Sequence, residues 1–290
     1  MRLEVYKMIN YHNHETMHFT SLTLLVKDLS RSIEFYRDIL KLSVTYQDKQ
    51  KIGFGANHQD TIIHLIEDRN ALLQDITLGL YHFALLLPSE KELARTVRQL
   101  ASSRYPITGA SNHGVSLAIY LDDPDGNGIE IYIDQDSLMW PKENDQLHMV
   151  TLPLDINHLM KNDDGLPYDQ ISDQTILGHM HLHVNSLDEA NHFYHQAIGF
   201  EITQTYMESA LFLSDQGYHH HIGLNTWQKG APICKPKQVG LKEMSLYIPK
   251  SKYIAFARRL ADQHVPIFSE QNIQYIIDPV NIKIILLIEA

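Results

Sequence analysis

The stretches VKDLSRSIEFYRDILKLSV (residues 26–44) and VNSLDEANHFYHQAIGFEI (residues 184–202) align at a constant offset of 158 residues. The identical positions are the pairs Val26/Val184, Leu29/Leu187, Phe35/Phe193 and Tyr36/Tyr194. Two later segments repeat as well: GLYHFALLLP (79–88) resembles GLKEMSLYIP (240–249), and DPDGNGIEIYI (123–133) resembles DPVNIKIILLI (278–288). The chain therefore contains an internal duplication, and its repeat unit determines the expected fold.

Each repeat starts with an alternating apolar segment and continues into a stretch with helical spacing, such as LSRSIEFYRDIL at residues 29–40. Further alternating segments predict strands. We expect an α+β fold of four βαβββ modules, two within residues 1–135 and two within residues 176–290. Their expected bounds are 18–70, 79–135, 176–228 and 239–289. Residues 136–175 are rich in polar residues, Pro and Asp, and are long for a plain loop, so we expect a connector containing one short helix.

Composition narrows the class of function. The formal net charge of -11 and the absence of clustered Lys and Arg argue against a nucleic-acid partner. No window resembles a membrane span or a secretory signal, so we expect a cytoplasmic protein without a membrane partner. Cys234 is the single cysteine, which leaves nitrogen and oxygen as metal ligands, and the 18 histidines are clustered. A small-molecule partner fits best, and self-association into a homo-oligomer stays open.

Side chains alternate between the two faces of a strand, and this alternation shows which candidate ligands share a face. In GHMHLHV (178–184), the residues on one face are His179, His181 and His183. In GIEIYID (128–134), the residues on one face are Glu130, Tyr132 and Asp134, opposite three isoleucines. His82 shares its face with Ala84 and Leu86. A single His or Glu on a strand is usually a hydrogen-bonded structural residue, but here several such positions recur at equivalent places in the modules.

The module pattern, a strand followed by FYRDILKL or FYHQAIGF, resembles the vicinal oxygen chelate superfamily. That superfamily contains glyoxalase I, fosfomycin-modifying transferases, bleomycin-binding proteins and type I extradiol dioxygenases. The resemblance covers nearly the whole chain apart from the connector, and implies that paired modules form cup-shaped mixed sheets. It also implies metal-ligand positions, which His82, His179 and Glu130 fit. Two histidines and one carboxylate suit Fe(II) with open coordination positions.

The duplication bears on how the modules pair. Modules one and four have few ligands at the equivalent positions, which hold Ser21, Glu243 and Ile285. Pairing in chain order would give each cup an incomplete set. Pairing module two with module three would gather His82, Glu130, His179 and His221 in one cup. We therefore predict that modules two and three share the metal cup.

Residues 112–130, NHGVSLAIYLDDPDGNGIE, resemble the extradiol dioxygenase signature. The matching residues are His113, Tyr120, Pro124, Gly126 and Glu130, whereas Ser111 departs from the pattern. The resemblance implies that Tyr120 can hydrogen-bond a substrate oxygen and that His113 supports the site. The segments GLNTW (223–227), GHMHLHV (178–184) and YHFALLLP (81–88) are together most similar to the catechol 2,3-dioxygenase group of Gram-positive bacteria.

The run YHHHIGLNTW (218–227) contains three consecutive histidines. If this run is an extended strand, His219 and His221 lie on the same face as Gly223 and His220 lies on the opposite face. We therefore predict that His219 and His221 face the cup and that His220 packs against neighbouring residues. The resemblance implies an acid–base histidine on this strand, so the expected group is His221 or His219.

The resemblance implies an Fe(II)-dependent extradiol dioxygenase that cleaves a catechol or related hydroquinone with O2. Three alternatives stay open: a glyoxalase-like isomerase or thiol transferase, a bleomycin-type binding protein without a metal, and a silent paralogue that keeps only the metal.

Overall fold

The computed structural model describes residues 10–73, 75–144 and 146–289. Residues 18–67 form strands β1 (His18–Val26), β2 (Ser43–Gln47), β3 (Lys51–Gly55) and β4 (Ile63–Glu67), with helix α1 (Leu29–Ile33) continuing as a π-helix (Glu34–Ile39). Residues 79–134 form β5 (Gly79–Leu86), α2 (Glu90–Ser102), β6 (Gly109–Asn112), β7 (Ser116–Asp122) and β8 (Gly128–Asp134). Each segment thus has the order βαβββ.

The segment that follows contains a 3-10 turn (Ser137–Met139), the short strands β9 (Lys142–Glu143), β10 (Gln146–Leu147) and β11 (Leu152–Pro153), helix α3 (Ile156–Leu159) and a second 3-10 turn (Met160–Asn162). Residues 176–225 form β12 (Ile176–His183), α4 (Leu187–Asn191) with a π-helix (His192–Ile198), β13 (Glu201–Tyr206), β14 (Ala210–Ser214) and β15 (Ile222–Asn225). Residues 240–288 form β16 (Gly240–Ile248), α5 (Lys250–Asp262), β17 (Phe268–Glu270), β18 (Ile273–Ile277) and β19 (Lys283–Ile288).

The strands assemble into two large mixed sheets. The order in the nine-stranded sheet is β11-β6-β7-β8-β5-β12-β15-β14-β13, and the order in the eight-stranded sheet is β17-β18-β19-β16-β1-β4-β3-β2. In the first sheet β5 pairs with β12, and in the second β1 pairs with β16, both antiparallel. The apolar sides of both sheets contribute to one buried cluster that includes Phe54, Ile131, Met180 and Met244. This architecture confirms the predicted α+β class with two curved sheets. None of the helices in the described ranges is long and apolar enough to cross a bilayer.

The repeated Tyr and Asp residues join segments that lie next to each other in the chain. Tyr36 Oη donates a hydrogen bond of 2.9 Å to Asp123 Oδ2, and Tyr194 Oη donates one of 2.8 Å to Asp278 Oδ2. All four residues are buried. A buried carboxylate without donors is costly, so each Tyr–Asp pair holds the helix of one segment against the turn before the last strand of the next.

Asp278 makes stability depend on pH. Burial raises the pKa of the Asp278 carboxyl from 3.8 to about 6, although hydrogen bonds from Ile282, Tyr194 and Val280 lower it. The folded state therefore holds this proton more tightly than the unfolded state. The stability that this tighter proton binding contributes is fully present below pH 3.8 and is lost as the pH rises through about 6.

We expect Asp278→Asn to remove that loss, because the amide resembles the neutral carboxyl. Relative to the wild type, the free energy of unfolding of the variant should be about 1 kcal/mol higher at pH ~4.5 and about 3 kcal/mol higher at pH ~7.5. Urea denaturation at both pH values measures the difference, with Asp169→Asn, an exposed position, as the control. If the free energies of unfolding of the wild type and Asp278→Asn differed by the same amount at both pH values, the raised pKa of Asp278 would be contradicted.

Candidate active site

Three adjacent strands bring His82, Glu130 and His179 together. Glu130 on β8 lies opposite Ala84 on β5, and His179 on β12 lies opposite the same alanine. His82 is two residues from Ala84 and shares its face. The small Ala84 side chain leaves space between its larger neighbours. Glu130 Oε2 lies 3.1 Å from His82 Nε2 and 3.3 Å from His179 Nε2.

The donor atoms of these residues suit a metal ion. One ligand atom from each of the three lies within 4.8 Å of the others, and all three residues are buried. His82 Nε2 and both ring nitrogens of His179 are buried without a well-directed hydrogen bond, although Glu130 Oε2 lies within ion-pair distance of the two Nε2 atoms. Such nitrogens are costly to bury unless they bind something. Burial lowers the pKa of His179 to about 4, against the opposing effect of Glu130, so the imidazole is neutral near pH 7. A neutral imidazole can coordinate a metal, and two histidines with one carboxylate fit Fe(II).

Glu130 supplies the negative charge of this group. Burial alone raises the pKa of its carboxyl, but His179 and His82 outweigh that effect and hold the pKa well below its usual range. The carboxylate is therefore ionised at neutral pH and available as an oxygen ligand.

A cavity of about 560 Å³ opens beside His82 and Glu130. Its wall also includes the aromatic residues Tyr81, Tyr120, Tyr206, Phe212 and Trp227. The metal-ligand group thus borders a space suited to a small aromatic molecule.

His113 and Tyr120 form a hydrogen-bonded pair in the cavity wall. Tyr120 lies opposite Glu130 across the β7–β8 pair. His113 Nδ1 is 2.7 Å from the Val150 carbonyl oxygen and must donate to it, which leaves Nε2 of the neutral ring as an acceptor. Tyr120 Oη, 2.7 Å from that Nε2, therefore donates to it. Burial, with the Glu130 carboxylate, raises the pKa of Tyr120, so its hydroxyl remains protonated.

The structure corrects the assignment of the histidine run. His220 lines the cavity, whereas His219 and His221 do not. Parity does not apply, because β15 begins only at Ile222 and the preceding residues follow a bent path. His221 is also fully occupied: Nδ1 accepts from the Asp215 N–H at 3.1 Å, and Nε2 lies 3.2 Å from the Tyr11 carbonyl oxygen. The prediction that His219 and His221 face the cup is therefore wrong.

His220 is the outer member of a chain of hydrogen bonds. Its Nδ1 lies 2.8 Å from His219 Nδ1, and His219 Nε2 lies 2.9 Å from Asp134 Oδ1. A carboxylate only accepts, so His219 Nε2 donates to Asp134, and a His219 ring with that single proton accepts at Nδ1. His220 then donates from Nδ1 and has its free lone pair at Nε2. The His220 ring lies 4.1 Å from that of His179, centroid to centroid, and so stands next to the metal-ligand group.

Several residues around the site have no role that the sequence predicts. Asp134, which shares a strand face with Glu130, does not line the cavity and contacts His219 instead. The connector contributes Met149, Val150 and Thr151 to the wall. It is held there because the Met149 N–H donates to Gln204 Oε1 at 2.7 Å and the Val150 N–H donates to the His113 carbonyl at 3.1 Å. These hydrogen bonds join the connector to His113, next to β6, and to Gln204 on β13. No local sequence pattern predicts them.

The eight-stranded sheet has different contacts at the equivalent positions. Ser21 Oγ donates to Ser245 Oγ at 3.0 Å, and Glu243 pairs with Lys283 at 3.3 Å. Within the described ranges, His82, Glu130 and His179 are the one group of His, Cys, Asp and Glu side chains with metal-binding proximity.

Residues 18–131 match the family described as Glyoxalase/Bleomycin resistance protein/Dioxygenase superfamily. A catechol-2,3-dioxygenase of Bacillus subtilis (strain 168) is 35% identical over 274 residues, which are 92% of this chain and 96% of that protein. A lactoylglutathione lyase of Escherichia coli O157:H7 is 26% identical over 122 residues, which are 39% of this chain and 90% of that protein.

Among solved structures, a proposed dioxygenase from Bacillus subtilis subsp. subtilis str. 168 superimposes with a TM-score of 0.62 and 15% identity. The superposition covers 94% of this chain and 86% of that chain. This likeness shows a shared fold.

Proposed function

The chain belongs to the glyoxalase/bleomycin resistance/dioxygenase superfamily, and on this premise we propose that it is an Fe(II)-dependent extradiol dioxygenase that opens the ring of a catechol or related hydroquinone with O2. The observation that supports this most directly is the buried group of His82, Glu130 and His179 at the wall of an aromatic cavity. The likeness to a catechol-2,3-dioxygenase extends over nearly the whole of both chains and agrees with it.

In this proposal His82, Glu130 and His179 hold the ion. When bound, Fe(II) supplies the Lewis acidity that favours loss of the diol protons, together with the redox chemistry toward O2. Three protein ligands would leave coordination positions on Fe(II) for the diol oxygens and O2.

The remaining residues position the diol and move its protons. Tyr120 Oη borders the cavity beside Glu130 and can orient a ring oxygen, with His113 fixing the direction of the hydroxyl. His220 has its free lone pair at Nε2, so it can take a phenolic proton and return it to the product. His219 and Asp134 set the tautomer of His220 through the two hydrogen bonds behind it. We therefore assign the acid–base role to His220 in place of His219 or His221.

A glyoxalase-type lyase is the second candidate, because lactoylglutathione lyases match part of the chain. The group of possible ligands contains one carboxylate and two histidines, which favours the dioxygenase. A metal-free binding protein would have no use for buried imidazole nitrogens without hydrogen bonds.

Turnover tests the proposal. Protein loaded anaerobically with Fe(II) and then given catechols or hydroquinones with O2 should consume O2 in a 1:1 ratio with diol, and a ring-opened product should appear by its visible absorbance. The same protein loaded with Zn(II), which has no redox chemistry, should do neither. Absence of both signals across a broad diol panel, with conversion of a hemithioacetal instead, would favour the lyase.

A further inference from the structure

The mouth of the cavity is aromatic and close to the metal-ligand group. Tyr81 and Trp227 meet edge to face with ring centroids 5.3 Å apart, and Tyr81 also contacts the His82 ring at 4.8 Å. Their exposed fractions are 38% for Tyr81 and 48% for Trp227. A continuous aromatic surface therefore leads outward from His82.

Trp227 is held in a defined position despite its exposure. The Trp227 backbone N–H donates to Asn225 Oδ1 at 3.1 Å, and Asn225 Nδ2 donates to His181 Nε2 at 3.0 Å. Asn225 and His181 are both buried. A large ring that is fixed and half exposed at a cavity mouth provides ready contact area for a ligand.

The cavity is larger than a single ring requires. A cavity of ~150 Å³ holds benzene, whereas this one measures about 560 Å³. Val115, Met149 and Phe212 add apolar surface away from the metal-ligand group. The space can take a diol ring together with a substantial apolar substituent.

The charge of the wall is one-sided. The described residues that line the cavity include the carboxylates Asp122 and Glu130, but no lysine or arginine. With the metal bound, Glu130 would be neutralised as its ligand, so the negative charge left in the wall would be that of Asp122. A carboxylate on a substituent away from the metal would lose water without gaining a lysine or arginine partner, and near Asp122 it would meet like charge.

We propose that the preferred ligands are neutral diols with a bulky apolar or aryl substituent that packs against Tyr81 and Trp227, and that diols bearing a carboxylate are disfavoured. This inference rests on the proposed function, since it takes the diol oxygens to bind at His82, Glu130 and His179.

Displacement of 4-nitrocatechol from the anaerobic Fe(II)-loaded protein tests the ranking, because the visible absorbance of this probe changes when its hydroxyls lose protons. We expect 4-phenylcatechol to bind at least about tenfold more tightly than catechol, and 3,4-dihydroxybenzoate at least about tenfold more weakly. Equal affinities, or tightest binding of the carboxylate, would overturn the inference.

Variants test separately the aromatic contact with Trp227 and the lack of a cationic residue in the cavity wall. Trp227→Ala should reduce the preference for 4-phenylcatechol over catechol about tenfold, Trp227→Phe should keep most of it, and Leu138→Ala, an exposed residue outside the cavity, should keep all of it. Thr151→Lys should improve binding of 3,4-dihydroxybenzoate about tenfold, while Thr151→Gln should not. If neither Trp227→Ala nor Thr151→Lys changes the ranking, the proposed contacts are wrong.

The same measurements separate this inference from the dioxygenase assignment. Ligand binding in the expected order without O2 uptake would support the specificity and reject the reaction. O2 uptake with a preference for charged diols would support the reaction and reject the specificity. Failure of 4-nitrocatechol to bind the loaded protein would reject both.

Discussion

Glu130→Ala should abolish retention of Fe(II) and, with it, ring cleavage. The substitution removes the one carboxylate of the group and leaves the two imidazoles. Loss of a residue that merely supports a ligand costs ~10–100-fold in metal affinity, so loss of a ligand should exceed 100-fold. Metal content after gel filtration and the rate of O2 uptake measure the two effects.

Thermal unfolding provides a readout that does not depend on turnover. A metal that binds only the folded state stabilises it by about 2.7 kcal/mol at a concentration 100 times its Kd. Added Fe(II) should therefore raise the Tm of the wild type under anaerobic conditions but leave that of Glu130→Ala unchanged. Glu143→Ala removes a carboxylate that is 70% exposed and should behave as the wild type. An equal Tm rise in the wild type and Glu130→Ala would show that Glu130 does not bind the metal.

His220→Gln should retain Fe(II) while its kcat falls by about 10²–10⁴-fold. The glutamine side chain can fill much of the space but cannot take and return a proton near neutral pH, and a positioned acid–base group is worth roughly that factor. The ligands His82, Glu130 and His179 are unchanged. The measurement is kcat from O2 uptake, normalised to bound iron.

His221→Gln is the informative comparison, because it lies one residue away and has a different environment. The loss of its ring leaves the Asp215 N–H and the Tyr11 carbonyl without their partner, so this variant should be less stable by ~1–3 kcal/mol. Its kcat per bound iron should stay within a few fold of the wild type. A large loss of kcat in His221→Gln together with near-normal turnover in His220→Gln would return the acid–base role to His221.

Several features were predictable because they depend on local pattern. The apolar spacing in residues 29–40 predicted a helical stretch, and the structure has helix α1 and the π-helix there. The alternation in β5, β8 and β12 placed His82, Glu130 and His179 on polar faces. The duplication showed which segments have few such residues. These inferences needed only the identity and spacing of the residues within single elements.

Other features depended on contacts between distant segments. Side-chain alternation predicts the wrong faces for the histidines at residues 219–221, because alternation requires an extended backbone. The chain bends until Ile222 pairs with Met180 on β12. The order of the sheet, the connector wall at Met149 and the position of Trp227 at the cavity mouth likewise depend on long-range pairing and hydrogen bonds. Residue order therefore sufficed to predict the βαβββ order of the elements and to single out His82, Glu130 and His179 as candidate ligands. Which histidine of the run faces the cavity followed from the fold alone, because side-chain alternation holds only where the backbone is extended, and the start of β15 is set by a partner strand some forty residues away.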